Sequence, residues 1–305
     1  MSCYYNVQIK NLKGDIVQIP CGKCIGCRLE KARQWAVRCV HEAQMHEENC
    51  FITLTYNNEN LPKDRCINKK DLQLFFKRLR KKINKDNQKP YQHQKYKEIR
   101  YYACGEYGDR FSRPHYHACI FGHDFHDKEK LRGNNIKWKK NYFSKAKTDF
   151  ALYRSAQLES CWTLGFSSVG EMSFESAGYV ARYVMKKITG DQADIHYKRD
   201  ILESGSDTIE PEFALMSRMP GLGQTWLEKY YTDVYPKDYF HINGVKNKPP
   251  RYYDDQLLKK DSQLYDKIKK RRIDALKPID ILRLKDKEKH KHLTVKQLQR
   301  SLHNG

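Results

Sequence analysis

No run in this chain approaches the ~20 apolar residues of a membrane-crossing helix, so no spanning segment is expected. The first residues, MSCYYNVQIKNLKGD, lack the apolar stretch of a signal peptide. No GxxxxGK[ST] is present, so the phosphate-cradling loop of a nucleotide-driven motor is not expected either. The sequence carries no internal repeat. Acidic residues are in deficit: 37 Asp and Glu stand against 58 Lys and Arg, a formal net charge of +21. That excess favours a polyanion, either nucleic acid or an anionic membrane surface, and the missing apolar segment favours nucleic acid in a cytoplasmic setting. Ten cysteines in 305 residues are not spread as a disulfide scaffold, and a chain this long does not need one. Thiols or metal ligands fit better.

What is present centres on residues 101–122, YYACGEYGDRFSRPHYHACIFG. Its two flanks are aromatic and β-branched, with Gly105, Gly108 and Pro114 between them, which predicts two strands joined by a loop. Side chains at i and i+2 share a strand face, so His115 and His117 project together. Glu106 lies nine residues before His115, at the end of the preceding strand, and offers a carboxylate to the same side. Two imidazoles and a carboxylate suit a divalent ion with coordination positions left for a phosphate. Further along, Tyr179, Tyr183 and Lys187 are spaced four and four, on one helix face, with Lys186 three after Tyr183. Such a stripe serves core packing, or it sets phenolic nucleophiles beside cations.

His-hydrophobic-His, the upstream Glu and YxxxYxxKK together resemble the HUH endonucleases that start rolling-circle DNA replication. The likeness is to initiation proteins of the microviruses, and within them the gokushovirus branch. PCGKCIGCR at 20–28, FITLTY at 51–56, SRMPGLG at 217–223 and PPRYYD at 249–254 extend it over roughly residues 1–255. The resemblance implies Mg²⁺ or Mn²⁺ at Glu106, His115 and His117, with Tyr179 and Tyr183 as nucleophiles supported by Lys186 and Lys187. It also implies single-stranded origin DNA as substrate, a host helicase and DNA polymerase as partners, and the bacterial host cytoplasm as location. Relaxases and single-strand transposases are related alternatives. A non-catalytic basic nucleic-acid-binding protein, or a water-using metal hydrolase with structural tyrosines, are alternatives of other classes.

Along the chain, residues 1–27 combine a hairpin, VQIK-NLKGD-IVQI, with Cys21-x-x-Cys24-x-x-Cys27. Thiolates at this spacing can wrap one structural zinc, with Cys3 as fourth ligand and Cys39 and His41 as rivals for that place. Residues 28–190 are expected to hold the catalytic core, 191–255 an extension, and 256–305 a basic, helix-prone tail that extends the DNA surface or is partly disordered. A helix is expected over 28–48, with Leu29, Ala32, Ala36, Val40 and Ala43 inward and Glu42 on the surface. A second is expected over 69–84, burying Leu72, Phe75, Phe76, Leu79 and Ile83 and offering Lys77, Arg78, Arg80, Lys81 and Lys82 to a backbone. A third is expected within 144–162. CFITLTY at 50–56 and GFSSVGEM at 165–172 read as strands. Ser176 is the expected cap of the tyrosine helix, and His123 and His126 are expected to be solvated. Strands alternating with helices, and near enough to pair antiparallel, give an α+β class. The resemblance narrows it to a central antiparallel sheet flanked by helices.

Overall fold

The computed structural model describes residues 3–10, 14–86, 98–108, 112–128, 152–183, 193, 197–198, 208–275 and 283–303. Its centre is an antiparallel sheet of five strands: β3 (Asn49–Tyr56), β4 (Arg100–Tyr107), β5 (Pro114–Phe121), β6 (Gly165–Glu171) and β7 (Phe213–Met216). They lie in the order β6-β3-β5-β4-β7. A hairpin of β1 (Val7–Lys10) and β2 (Ile16–Ile19) precedes the sheet, and β8 (Phe240–Ile242) pairs with β9 (Val245–Asn247) beyond it. The class is α+β, as expected.

Strand β3 explains how the sheet sorts its side chains. Cys50, Ile52, Leu54 and Tyr56 are buried on one face, while Phe51, Thr53 and Thr55 point the other way. On the first face lie α2 (Lys69–Asp86) and α3 (Ala156–Cys161). There Leu72, Phe75, Phe76, Leu79 and Ile83 pack with Leu54, Tyr116, Ile120 and Trp162, as the apolar spacing of α2 predicts. On the second face lie α1 (Ile25–Ala43) and α4 (Phe174–Tyr183). Small residues, Ala32 and Ala36 on α1 and Ala177 and Ala181 on α4, join Cys104, Cys119 and Phe121 of the sheet. Both faces of β4 and β5 are thus covered, which is why these strands read as nearly unbroken apolar runs.

A third apolar cluster covers the far side of α1. It includes Trp226 and Leu227 of α5 (Gln224–Lys229), Val234 of α6 (Tyr231–Val234), Tyr253 and Leu257 of α7 (Arg251–Lys260), and Ile268 of α8 (Ser262–Asp274). This layer corrects the expectation for Glu42, which is 1% exposed. Its carboxylate ion-pairs with Arg100 at 2.5 Å and His46 at 3.2 Å, and accepts the Gly223 N–H at 2.7 Å. Burial works against the charged form, but these partners hold it below the usual carboxylate range. The helix pattern alone showed one buried stripe; α1 has two.

Two smaller expectations are also corrected. The cap of α4 is Ser173: its Oγ accepts the Ser176 N–H at 3.0 Å, while Ser176 Oγ accepts the Ser173 N–H at 2.7 Å. The two serines form a reciprocal capping box. His123 is buried, edge-on to Phe125, whereas His126 is exposed and pairs with Glu48. The final helix, α9 (Leu284–His303), is reached from the N-terminal arm by Tyr5, whose hydroxyl donates to Glu288. Among the described residues, no helix is long and apolar enough to cross a membrane.

Candidate active site

Cross-strand register assembles the central group. Glu106 on β4 stands directly opposite His115 on β5, and Cys104 opposite His117. On the other side of β5, Thr55 is opposite His115 and Thr53 opposite His117. Alternation puts all five polar side chains, Glu106, both histidines and both threonines, on the sheet face that carries α1 and α4. Glu106 and His117 are 3% and 6% exposed, and His115 is half-buried.

Each imidazole is held at Nδ1 by a threonine hydroxyl: Thr53 Oγ1 lies 3.0 Å from His117 Nδ1, and Thr55 Oγ1 2.8 Å from His115 Nδ1. A hydroxyl both donates and accepts, so it satisfies either tautomer. His117 Nε2 lies 3.0 Å from Glu106 Oε1. His115 Nε2 faces the backbone at Gly108, where an added Cβ would come within 2.7 Å. The side chain missing at Gly108 therefore leaves that nitrogen its space. The threonines escaped the sequence reading. Their signal was the TxT within FITLTY, matching the spacing of HxH, but only register shows that the two pairs align.

The tyrosine helix covers this face. The Tyr179 ring, half-buried, meets the His117 ring edge-on at 5.2 Å between centroids and Phe51 at 6.1 Å. Phe51 stacks in turn on His117 at 5.8 Å. Tyr183 ends α4, one turn further on. The Tyr183 side chain, Lys186 and Lys187 lie outside the described residues. The cations of α2 belong to the opposite side of the sheet. There Arg80 lies 5.4 Å over the Tyr101 ring.

Two donor groups of different character result. The chemistry of Glu106, His115 and His117, with Nδ1 pinned and Nε2 turned inward, fits a divalent cation. Their spacing is open, with the two imidazole centroids 6.5 Å apart. Among the described residues, the group that closes to metal-site spacing is Cys3, Cys21, Cys24 and Cys27. Cys39 and His41, the rivals for a place in it, are engaged elsewhere. Cys39 is buried against the sheet, and His41 stacks on Trp226 at 3.4 Å with Nδ1 2.9 Å from the Tyr253 hydroxyl.

A sheet-borne histidine pair under a tyrosine helix places the chain among proteins that act on nucleic-acid phosphates, and the comparisons with known proteins are narrower. The family model for replication-associated proteins of the ORF2 type matches residues 49–188, the span that begins with β3 and runs past α4. The chain is 35% identical to Replication-associated protein VP4 of Bdellovibrio phage phiMH2K over 79% of its own length and 67% of that protein's. It is 28% identical to Replication-associated protein ORF2 of Spiroplasma virus 4, across 100% of this chain and 99% of the relative. It is 30% identical to Replication-associated protein ORF4 of Chlamydia phage 1, over 83% of this chain and 58% of that one. No solved structure is significantly similar to it. The chain belongs to the replication-associated proteins of microvirus-like phages, and its role lies in replication initiation.

Proposed function

We propose that this protein is an origin-specific, single-strand DNA endonuclease and ligase that starts rolling-circle replication through a 5′-phosphotyrosine. The observation that carries the reading is the approach of the Tyr179 ring to His117 on the face shared with Glu106 and His115. Glu106, His115 and His117 would hold Mg²⁺ or Mn²⁺, which when bound supplies Lewis-acid stabilisation of charge on the scissile phosphate.

The protein's own residues do the rest. Thr53 and Thr55 fix the two imidazoles, so Nε2 of each is presented without rotamer loss. Phe51 and the capped N-terminus of α4 hold the Tyr179 ring over His117. A free phenol has a pKa near ~10 and is a weak nucleophile at neutral pH. Lys186 and Lys187, on the turn after Tyr183, favour phenolate and neutralise the phosphate. In-line attack by the phenolic oxygen forms the tyrosine–phosphorus bond and breaks the bond to the 3′ oxygen. That oxygen takes up a proton and becomes the primer end for a host polymerase. The phosphodiester energy is conserved for rejoining. With two tyrosines one turn apart, the second can cut the regenerated origin while the first holds the old end. Unwinding falls to a host helicase in the host cytoplasm, since the sequence carries no nucleotide-binding loop of its own.

Tyr→Phe keeps ring packing and removes the hydroxyl, so it tests the chemistry directly. Single Tyr179→Phe and Tyr183→Phe variants should each still form some denaturation-resistant adduct with single-stranded origin DNA in Mn²⁺. The double variant should bind the DNA and form none. An adduct from the double variant moves the nucleophile elsewhere.

A further inference from the structure

The geometry points to a structural zinc ion held by Cys3, Cys21, Cys24 and Cys27, separate from the sheet site and independent of the nuclease reading. The four Sγ atoms all lie within 4.8 Å of one another, and Cys21 and Cys27 are 4.0 Å apart. Four thiolates at the usual Zn–S length of about 2.3 Å form a tetrahedron with edges of about 3.8 Å. A disulfide needs sulfurs about 2.05 Å apart, and all four thiols are free.

The surrounding backbone is arranged for sulfur anions. The Cys21 N–H donates to Cys3 Sγ at 3.2 Å, the Cys24 N–H to Cys21 Sγ at 3.4 Å, and the Tyr4 N–H to Cys24 Sγ at 3.5 Å. Such main-chain donors stabilise metal-bound thiolates and orient them. Gly22, at φ +75°, makes the left-handed turn inside Cys21–Cys24 that aims both sulfurs inward. Cys24 sits at the N-cap of α1 and Cys27 in its first turn, where the helix dipole also favours negative charge.

The arm has little else to hold it. Among the described residues before α1, Cys3 and Cys24 are the buried ones, and the hairpin leaves Val7 at 46% and Ile16 at 66% exposure. An isolated two-stranded hairpin is marginal in water. Metal binding of this kind is folding free energy. It would fasten the hairpin arm to the start of α1, the helix that packs with α4 beneath the tyrosines.

The test is metal analysis of the purified full-length chain. About one zinc per chain should survive gel filtration, persist in His117→Ala, and be lost in the Cys21→Ser/Cys24→Ser double variant. Should that variant aggregate, the wild-type chain stripped and reloaded with Co²⁺ decides. Tetrahedral sulfur coordination gives strong sulfur-to-cobalt charge-transfer absorption and intense visible d–d bands. Folded chain without zinc, stoichiometric iron in its place, zinc lost with His117, or a cobalt spectrum without charge transfer would each overturn the assignment.

Discussion

Replacing Thr53 by Val keeps the shape of the side chain and removes one hydroxyl, and its effect follows from burial. In the metal-loaded site His117 Nε2 is a ligand, so Nδ1 carries the proton and Thr53 accepts it at 3.0 Å. His117 is 6% exposed, so water cannot readily replace that acceptor. A buried donor stripped of its partner costs about 1–3 kcal/mol, which corresponds to about 5- to 150-fold in metal affinity. Thr55 makes the same bond to His115, but that ring is half-buried and solvent takes over part of the loss. Thr55→Val should therefore cost about fivefold or less. The assay is adduct formation with single-stranded origin DNA against Mn²⁺ concentration, read on denaturing gels, with thermal melts to verify the fold. Thr53→Val should shift the half-saturating Mn²⁺ upward far more than Thr55→Val, with adduct restored at high metal. Wild-type metal dependence in Thr53→Val, or a larger shift in Thr55→Val, would refute the orienting role.

Burial lowers the His41 pKa from 6.5 to about 3, so the native state resists protonation that the unfolded chain accepts. Its contribution is present above pH 6.5 and is lost as pH falls toward 3, on the order of 2 kcal/mol between pH 6.5 and 5. Urea midpoints at the two pH values should converge in His41→Phe, and equal slopes in both proteins would exclude this origin. Gly223 sits at φ +76° with Tyr253 Oη 2.5 Å from where a Cβ would go, so Gly223→Ala should destabilise by about 2 kcal/mol or more in denaturant unfolding. Tyr253→Phe in that background should recover part of the loss, and none recovered would place the strain in the backbone alone. With a net charge of +21, single-strand affinity should fall about 10²-fold between 50 and 200 mM salt for about five phosphate contacts. An affinity flat over that range would contradict backbone-dominated binding.

The elements legible in the sequence are those whose apolar spacing answers to one partner. Helix α2 buries the five residues its spacing picks out because it meets only the sheet. The same logic misplaced Glu42, because α1 is covered a second time by residues 180 or more positions away, among them Gly223 and Trp226. No local pattern announces such a layer. The HxH pair and its carboxylate were visible because strand alternation is local. Their threonine partners were not, because pairing Thr53 with His117 spans 64 residues and depends on strand order. Ser176 was taken for the cap because it is the last good capping residue before the tyrosines. The helix begins earlier, and Ser173 fills the role with Ser176 as its reciprocal partner.

The motifs SRMPGLG and PPRYYD acquire a physical meaning that neither has alone. The 217–223 loop is gripped through its backbone: Arg100 donates to the carbonyls of Met219 and Pro220, Arg38 to that of Leu222 at 2.9 Å, and Glu42 accepts from Gly223. The glycines of the loop are shaped by the tyrosines of the second motif. A Cβ at Gly221 would collide with the Tyr252 hydroxyl, and one at Gly223 with that of Tyr253. Tyr253 then bonds His41 on α1, while Tyr252 lies under the Arg38 guanidinium at 3.9 Å. Arg100 opens β4, the strand that ends in Glu106, and α1 carries Arg38, His41 and Glu42 on the helix that backs α4. The two motifs therefore bear on the geometry of the site without touching the reacting groups. A defect introduced there should reach the site through the seating of α1 and β4, lowering folding stability and activity together. Loss of His117 should instead remove activity from a chain that still folds.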